Sequence, residues 1–336
     1  MRYAVGLLAV PFLLAIPVLA APPTPDAAPL SDHTAMLAAI QVDSLTLTPI
    51  VATKGDGHDG DGLLVLDEAM AANQVKILEI ASGDVNNLTF VNLAKRPVFL
   101  MAGEVIIGGK QDRIIGRNTV IPANTTQDVP VFCVEHGRWN GTTAQFTSAK
   151  ALAHGRLRGK ASYAAQQDVW DEVAVKNQER KTTSASDTYR KVAQQQSDGT
   201  LSAMERRVDA ALAKLSAADR GRMVGYAVAI NGAVATVDVF GSPALFKKLE
   251  TKLVRSYLTE AVDVAARKGA VPPSPADVRS FMADADKAAA QRSYDTAAAE
   301  TVINNGSYAS KAKVDYKRTR PAAGAAPAVY ENYQAR

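Results

Sequence analysis

The stretch VGYAVAI, then Asn231-Gly232, then AVATVDVF constrains the fold more than any other part of the chain. Two apolar, β-branched runs separated by two residues read as a β-hairpin. A two-residue turn whose hand matches strand twist needs positive φ at both central positions, and Asn-Gly supplies it. Ser242-Pro243 follows at once, with Ser as a helix cap and Pro suited to the first turn. Leu245, Phe246, Leu249, Leu253, Tyr257, Leu258 and Val262 then recur at helical spacing. They form the buried stripe of a long helix, which Gly269 is expected to stop. VPPSPADV breaks the chain and starts a second, Ala-rich helix. A last hairpin is expected around Asn304-Asn305-Gly306, before a Pro/Ala-rich end.

Upstream the texture differs. From Val42, short segments such as VKILEI, NLTFVNL, RPVFLMAGEVIIGG, NTVIPA and DVPVFCVE alternate with turn clusters, as in an antiparallel sheet or sandwich. Asp67 is positioned to cap one interrupting helix, EAMAAN. From about Ser162 to Leu215 the pattern turns helical. Asp168 to Arg180 is one helix, and Leu201, Met204, Val208, Ala211 and Leu215 stripe another, with Ser202 and Glu205 at capping-box spacing. Between them, KTTSASDTYR reads as a polar loop. The fold class is therefore α+β: an antiparallel β-rich, sandwich-like first half, then helices, a β-hairpin and a long helix. The main unit is expected over 42–268, β-rich to 150 and helical plus hairpin from 160. A C-terminal helix and hairpin (275–316) and a disordered tail (319–336) follow.

The first twenty residues, MRYAVGLLAVPFLLAIPVLA, have one cation and then an apolar run ending small-x-small, the pattern of a secretory signal peptide cut after Ala20. Pro11 and Pro17 interrupt the run, which argues against a membrane anchor, and no cysteine follows it as a lipoprotein would need. The expected product is exported, to a periplasm or the extracellular space, with no membrane insertion after cleavage. Residues 21–41 read as a flexible Pro/Ala-rich segment. Cys133 is the only cysteine, so no intrachain disulfide can staple the fold.

Formal charge is +4, but its distribution is uneven. Residues 1–150 hold 10 Lys plus Arg against 14 Asp plus Glu, and residues 151–336 hold 28 against 20. In the second half the signs interleave at helical spacing, as on solvated helix faces. No basic run with interleaved aromatics argues for nucleic acid.

Most chemical motifs fail on inspection. The GGK at Gly109-Lys110 invites a phosphate loop. Gly103, however, is one residue too far away, Gln111 replaces the hydroxyl, and more strand follows in place of a helix. The acidic loop GDGHDGDG offers Asp56, Asp59 and Asp61, but Asp61 falls where a calcium loop needs glycine; a solvated surface loop is the reading, and no metal or cofactor is expected. The histidines, His33, His58, His136 and His154, have no zinc-helix spacing. A Cys133–His136 dyad needs a bend, because on one strand these residues point to opposite faces.

Two segments keep their interest: GEVIIGGKQDR and PVFCVEHGRW. As a regular strand the first puts Glu104 and Lys110 on one face and Gln111 and Arg113 on the other. In the second, Cys133 and Glu135 share a face, followed by Arg138 and Trp139 at a turn. The bland alternative is two paired strands whose charges satisfy each other.

These residues, with the IP between them and VGYAVAINGAVATVDVFGSPALF downstream, resemble the signature of a bacterial domain family. The family is named for its association with ADP-ribosylglycohydrolases and the rhodanese-phosphatase superfamily. The resemblance runs over roughly Val42 to Ala266 and carries Gly103, Glu104, Gly109, Lys110, Gln111, Arg113, Cys133, Glu135, Gly137, Arg138 and Trp139. Asp112 stands where the pattern has Asn. The resemblance implies recognition or processing of ADP-ribose or a related nucleotide. The two segments are expected to be neighbouring strands that gather Glu104, Lys110, Arg113, Glu135 and Arg138.

Three functions remain open. The first is a module that binds a small anionic, nucleotide-like molecule through Gly109, Lys110, Gln111, Arg113, Arg138 and the ring of Trp139. The second is a hydrolase-type enzyme with Glu104 or Glu135 as general acid/base and Cys133 as nucleophile. The third is a structural envelope protein whose polar cluster only fixes strand register. The protein partner, if any, is not specified by the sequence.

Overall fold

The computed structural model describes residues 29–53, 60, 62–80, 84–137, 143–163, 165–194, 199–296, 299–316 and 328–336. The expected signal peptide, most of the acidic loop, Arg138 and Trp139 lie outside the described residues. No described helix is long and apolar enough to cross a membrane.

The first half is strand after strand, as its alternation predicts. After a turn at Leu30–His33 come β1 (Thr34–Met36), β2 (Ile40–Val42) and β3 (Leu45–Ala52), then β4 (Leu64–Val65), helix α1 (Leu66–Ala71), β5 (Val75–Glu79) and β6 (Asn87–Asn92). Next come β7 (Val98–Leu100), β8 (Glu104–Gly109), β9 (Arg113–Ile115), β10 (Thr119–Ile121), β11 (Thr125–Cys133) and β12 (Thr143–Leu152). Five helices follow: α2 (Gly155–Tyr163), α3 (Gln166–Glu179), α4 (Arg190–Ala193), α5 (Gly199–Leu212) and α6 (Ala217–Arg222). The chain closes with β13 (Met223–Ile230), β14 (Ala233–Phe240), α7 (Pro243–Ala261), α8 (Pro275–Asp286), β15 (Ala290–Asp295), β16 (Ala299–Asn305), β17 (Ala309–Tyr316) and β18 (Ala328–Ala335).

Three sheets organise these elements. A six-stranded sheet has the order β12-β8-β9-β11-β6-β5, and a three-stranded sheet β10-β7-β4 packs on it around Phe90, Leu100, Ile106, Ile115 and Phe146. A nine-stranded sheet runs β1-β3-β13-β14-β18-β17-β16-β15, with β2 also on β3. Helix α7 lays Leu245, Phe246, Leu249, Leu253 and Leu258 on one face of that sheet, while Val278, Phe281 and Met282 of α8 join the core on the other. The α+β class is thus as the sequence indicates. Asn231 and Gly232 take φ of 49° and 85°, and Ser242 accepts from the amides of Ala244 and Leu245 as the cap of α7.

Several local expectations are corrected. The disordered tail expected at 319–336 is wrong for residues 328–335. They form β18, hydrogen-bonded between β14 and β17, because Tyr330 and Tyr333 insert into the cores on opposite faces of the sheet. The segment expected to be flexible through residue 41 is ordered from Leu30, since β1 and β2 both pair with β3. Asp67 is not a cap; Val65 precedes α1, and the Asp67 carboxylate reaches Lys252 at 2.9 Å. Ser202 lies inside α5, which starts at Gly199, so no capping box forms there. Helix α7 ends at Ala261, well before Gly269, whose φ of +78° serves a later turn.

Candidate functional site

The stretch GEVIIGGKQDR is a hairpin, not the single strand that would pair the faces of Glu104 and Lys110. Gly108 and Gly109 have φ of +128° and +55°. A Cβ on Gly108 would lie 2.4 Å from the Gln145 carbonyl oxygen, and one on Gly109 would lie 2.2 Å from Cζ of Phe146. Only glycine fits such contacts at positive φ. The chain therefore turns through Lys110, Gln111 and Asp112 and returns as β9, which pairs with β8 at Ile106↔Arg113 and with β11 at Cys133↔Arg113. The two signature segments are neighbouring antiparallel strands, as the sequence leads one to expect.

Their polar side chains meet at the end of this ladder. Gln111 Nε2 donates to the Glu135 carbonyl at 2.7 Å, and the Asp112 amide donates to Glu135 Oε2 at 3.1 Å. Asp112 is fully buried and well supplied with donors. Its Oδ1 accepts from the Gly108 amide at 3.1 Å and Arg190 Nη2 at 2.6 Å; its Oδ2 accepts from Arg190 Nε at 2.8 Å and Thr188 Oγ1 at 3.0 Å. The hydrogen bond to Asp112 raises the Arg190 guanidinium further above its usual value. An Asp in place of the Asn of the pattern is matched here by a guanidinium fork. Thr188 lies in the polar loop before α4 and Arg190 is the first residue of that helix; the Tyr189 amide between them ties the junction to the Val134 carbonyl at 2.9 Å.

Arg113 is different. Its side chain is 0% exposed. Only Nη1 has acceptors, Gln111 Oε1 and the Asp112 carbonyl, both at 3.4 Å. Nε and Nη2 have none among the described residues. A buried guanidinium with two idle N–H directions is costly unless something pairs with it.

The other candidates separate. Glu104 does not join this cluster: Lys252 of α7 binds its Oε1, and its Oε2 accepts from the Met101 amide at 2.8 Å. Burial pushes the Glu104 carboxyl up, against the pull of Lys252. Lys110 is exposed in the turn, where its amide donates to Glu79 Oε1 at 2.9 Å. Cys133 is buried beside Arg113, its amide and carbonyl both held by the Gln166 side chain at 2.9 and 2.8 Å. Burial raises the thiol above its usual value although Arg113 opposes the shift, which is the reverse of nucleophile activation. His136 is exposed and stands edge-on to Trp170 at 4.6 Å, so it forms no dyad with Cys133. Among the described residues no group of three or more His, Cys, Asp or Glu could hold a metal.

Sequence reasoning missed Thr188 and Arg190, which sit in a stretch read only as a loop, and Lys252, whose stem lies on an otherwise apolar helix face. Only the Asp at position 112 hinted that a cation must be near.

A family model matches residues 33–320: the ARG and Rhodanese-Phosphatase-superfamily-associated Protein domain. The match takes in α8 and β15 to β17 as well as the signature strands. No curated protein and no solved structure matches the chain.

Proposed function

Because the chain belongs to the ARG and Rhodanese-Phosphatase-superfamily-associated Protein family, we propose that its signature hairpin is a binding site for a small anionic molecule. The observation that carries this reading is the buried Arg113, whose Nε and Nη2 have no partner among the described residues. A phosphate or carboxylate would complete its fork with charge-assisted hydrogen bonds. Gln111 already orients one side of the guanidinium, and the Asp112–Arg190 pair fixes the turn that carries Gln111. Arg138 and Trp139, which lie outside the described residues, enter this reading from the sequence alone, as a further cation and ring close after Glu135. A nucleotide of the ADP-ribose type carries phosphates to pair with guanidinium groups and a base that can stack on an indole. The first twenty residues direct export in this reading, so the ligand is met outside the cytoplasm.

The test is thermal shift of the mature protein with ADP-ribose, AMP, a sugar phosphate and citrate, repeated on Arg113→Met. Stabilisation by at least one anion, lost in the variant, is the expected result. If no anion stabilises the protein, or Arg113→Met responds like the wild type, the site is not an anion site. The structural reading, in which the cluster only sets strand register, draws on the four donors already around Asp112, and the second outcome favours it.

A further inference from the structure

A cavity of about 780 Å³ lies apart from the signature hairpin, between α2, α3 and α7 and the nine-stranded sheet. Its floor is a row of directly paired residues across five strands: Val228, Thr236, Gln334, Ser310 and Asn305. Directly paired residues share a sheet face, and elsewhere on this face stand the core side chains Phe240, Tyr330 and Val314. Four of these five floor residues are polar. Gln334 is 5% exposed, yet among the described residues its Nε2 has no hydrogen-bond partner, and neither has Asn305 Oδ1. One orphan donor and one orphan acceptor thus stand two strands apart, about 10 Å at the usual strand spacing. Buried amides without partners are rare in folded proteins.

The facing wall is charged but balanced. Arg156 holds Glu260 at 2.8 Å, Glu179 at 3.3 Å and Glu172 at 3.4 Å. Lys160 and Arg336 bring the lining cations to three against those three carboxylates. Neither a strong anion nor a strong cation is selected. A fully apolar ligand would leave Gln334 Nε2 and Asn305 Oδ1 without partners. Val228, Ile230, Val264 and the half-buried bulge residue Ala235 make the larger, apolar share of the lining beside these polar groups.

We propose that this cavity is a second binding site, for a neutral hydroxyl-rich molecule of disaccharide size. Hydroxyls both donate and accept, so one ligand can satisfy Gln334 Nε2 and Asn305 Oδ1 together and also reach the carboxylate oxygens of the wall. Its C–H face can lie on Val228 and Ala235. The volume is in the range of small-molecule pockets. The inference does not depend on the anion site, since none of its residues belongs to the signature hairpin.

The experiment is calorimetric titration of the mature protein with maltose, cellobiose, lactose, trehalose and chitobiose, with citrate and AMP as controls. Two variants accompany it: Gln334→Met, which removes the orphan amide at similar volume, and Ala235→Phe, which fills the cavity from a half-exposed bulge. Binding of at least one disaccharide is expected, about tenfold weaker in Gln334→Met, absent in Ala235→Phe and unchanged in Arg113→Met. Should Gln334→Met not fold, Ala235→Phe decides alone. The proposal is overturned if no saccharide binds, if binding survives Ala235→Phe, or if Ala235→Phe abolishes binding of a control anion instead.

Discussion

Arg158 of α2 and Asp238 of β14 form a fully buried pair, Nη2 to Oδ1 at 2.9 Å and Nη1 to Oδ2 at 3.3 Å. The hydroxyls of Tyr257 and Tyr330 and the amide of Asn332 complete the shell of Asp238. Burial works against the charge of Asp238, but Arg158 outweighs it and holds the carboxyl below its usual range. One ion pair thereby joins the first helix after the β-rich half to the centre of the nine-stranded sheet. Removing one partner leaves the other buried and uncompensated. Arg158→Met should cost about 3–5 kcal/mol in denaturant unfolding. A cost below about 1 kcal/mol would mean that the pair is solvated and does not couple the two regions.

Arg113 is the converse case. It is as buried as Arg158 but meets no carboxylate fork among the described residues, so its charge is held at a loss in the ligand-free protein. Arg113→Met should leave the ligand-free protein as stable as the wild type or raise its stability by about 1 kcal/mol or more. Denaturant melts of the two arginine variants side by side check the contrast. A loss at Arg113 equal to that at Arg158 would show that Arg113 is paired in solution.

The β8–β9 turn depends on backbone that only glycine adopts without strain. Gly108→Ala places a Cβ against the Gln145 carbonyl, which cannot swing away as a side-chain end could. A cost of about 1–3 kcal/mol is expected, with Gln111 and Asp112 displaced and anion binding lost alongside. Thermal melts that match the wild type within error would refute the strained-turn account.

The C-terminal strand gives a coarser test. β18 pairs with β14 through Thr236 to Phe240 and with β17 over most of its length. Deleting residues 328–336 opens the middle of the sheet and strips Tyr330 and Tyr333 from two cores. The truncated chain should show no cooperative melt, followed by circular dichroism.

What the sequence revealed and what it hid divide by distance along the chain. Asn231-Gly232 and the Ser242 cap rest on local chemistry, and the adjacency of β9 and β11 joins segments separated in the chain only by β10 and its turns. The pairing of β18 with β14 is set by contacts about a hundred residues apart, and the Pro/Ala-rich stretch before it masks the alternation of AVYENYQ. Lys252 was hidden for a related reason. On the helix it is one cation at the edge of an apolar stripe, and only the fold shows Glu104 and Asp67 waiting for it. Arg190 sits in a polar segment whose composition carries no sign of its partner.

Asp315 on β17 offers a pH test. Its Oδ1 is buried without a partner among the described residues, Oδ2 meets Lys313 at 3.1 Å, and burial pushes its carboxyl from 3.8 up to about 6, with Lys313 opposing. A folded-state value above the unfolded one means that the folded chain binds the proton more tightly. Asp315 therefore costs nothing below pH 3.8, and it lowers stability progressively as pH rises through about 6. Asp315→Asn should be more stable than the wild type at pH 7, by up to about 3 kcal/mol, and the advantage should vanish on acidification below about pH 4. Urea midpoints across this range measure it. An advantage independent of pH would place the gain in packing or hydrogen bonding and not in the ionisation of Asp315.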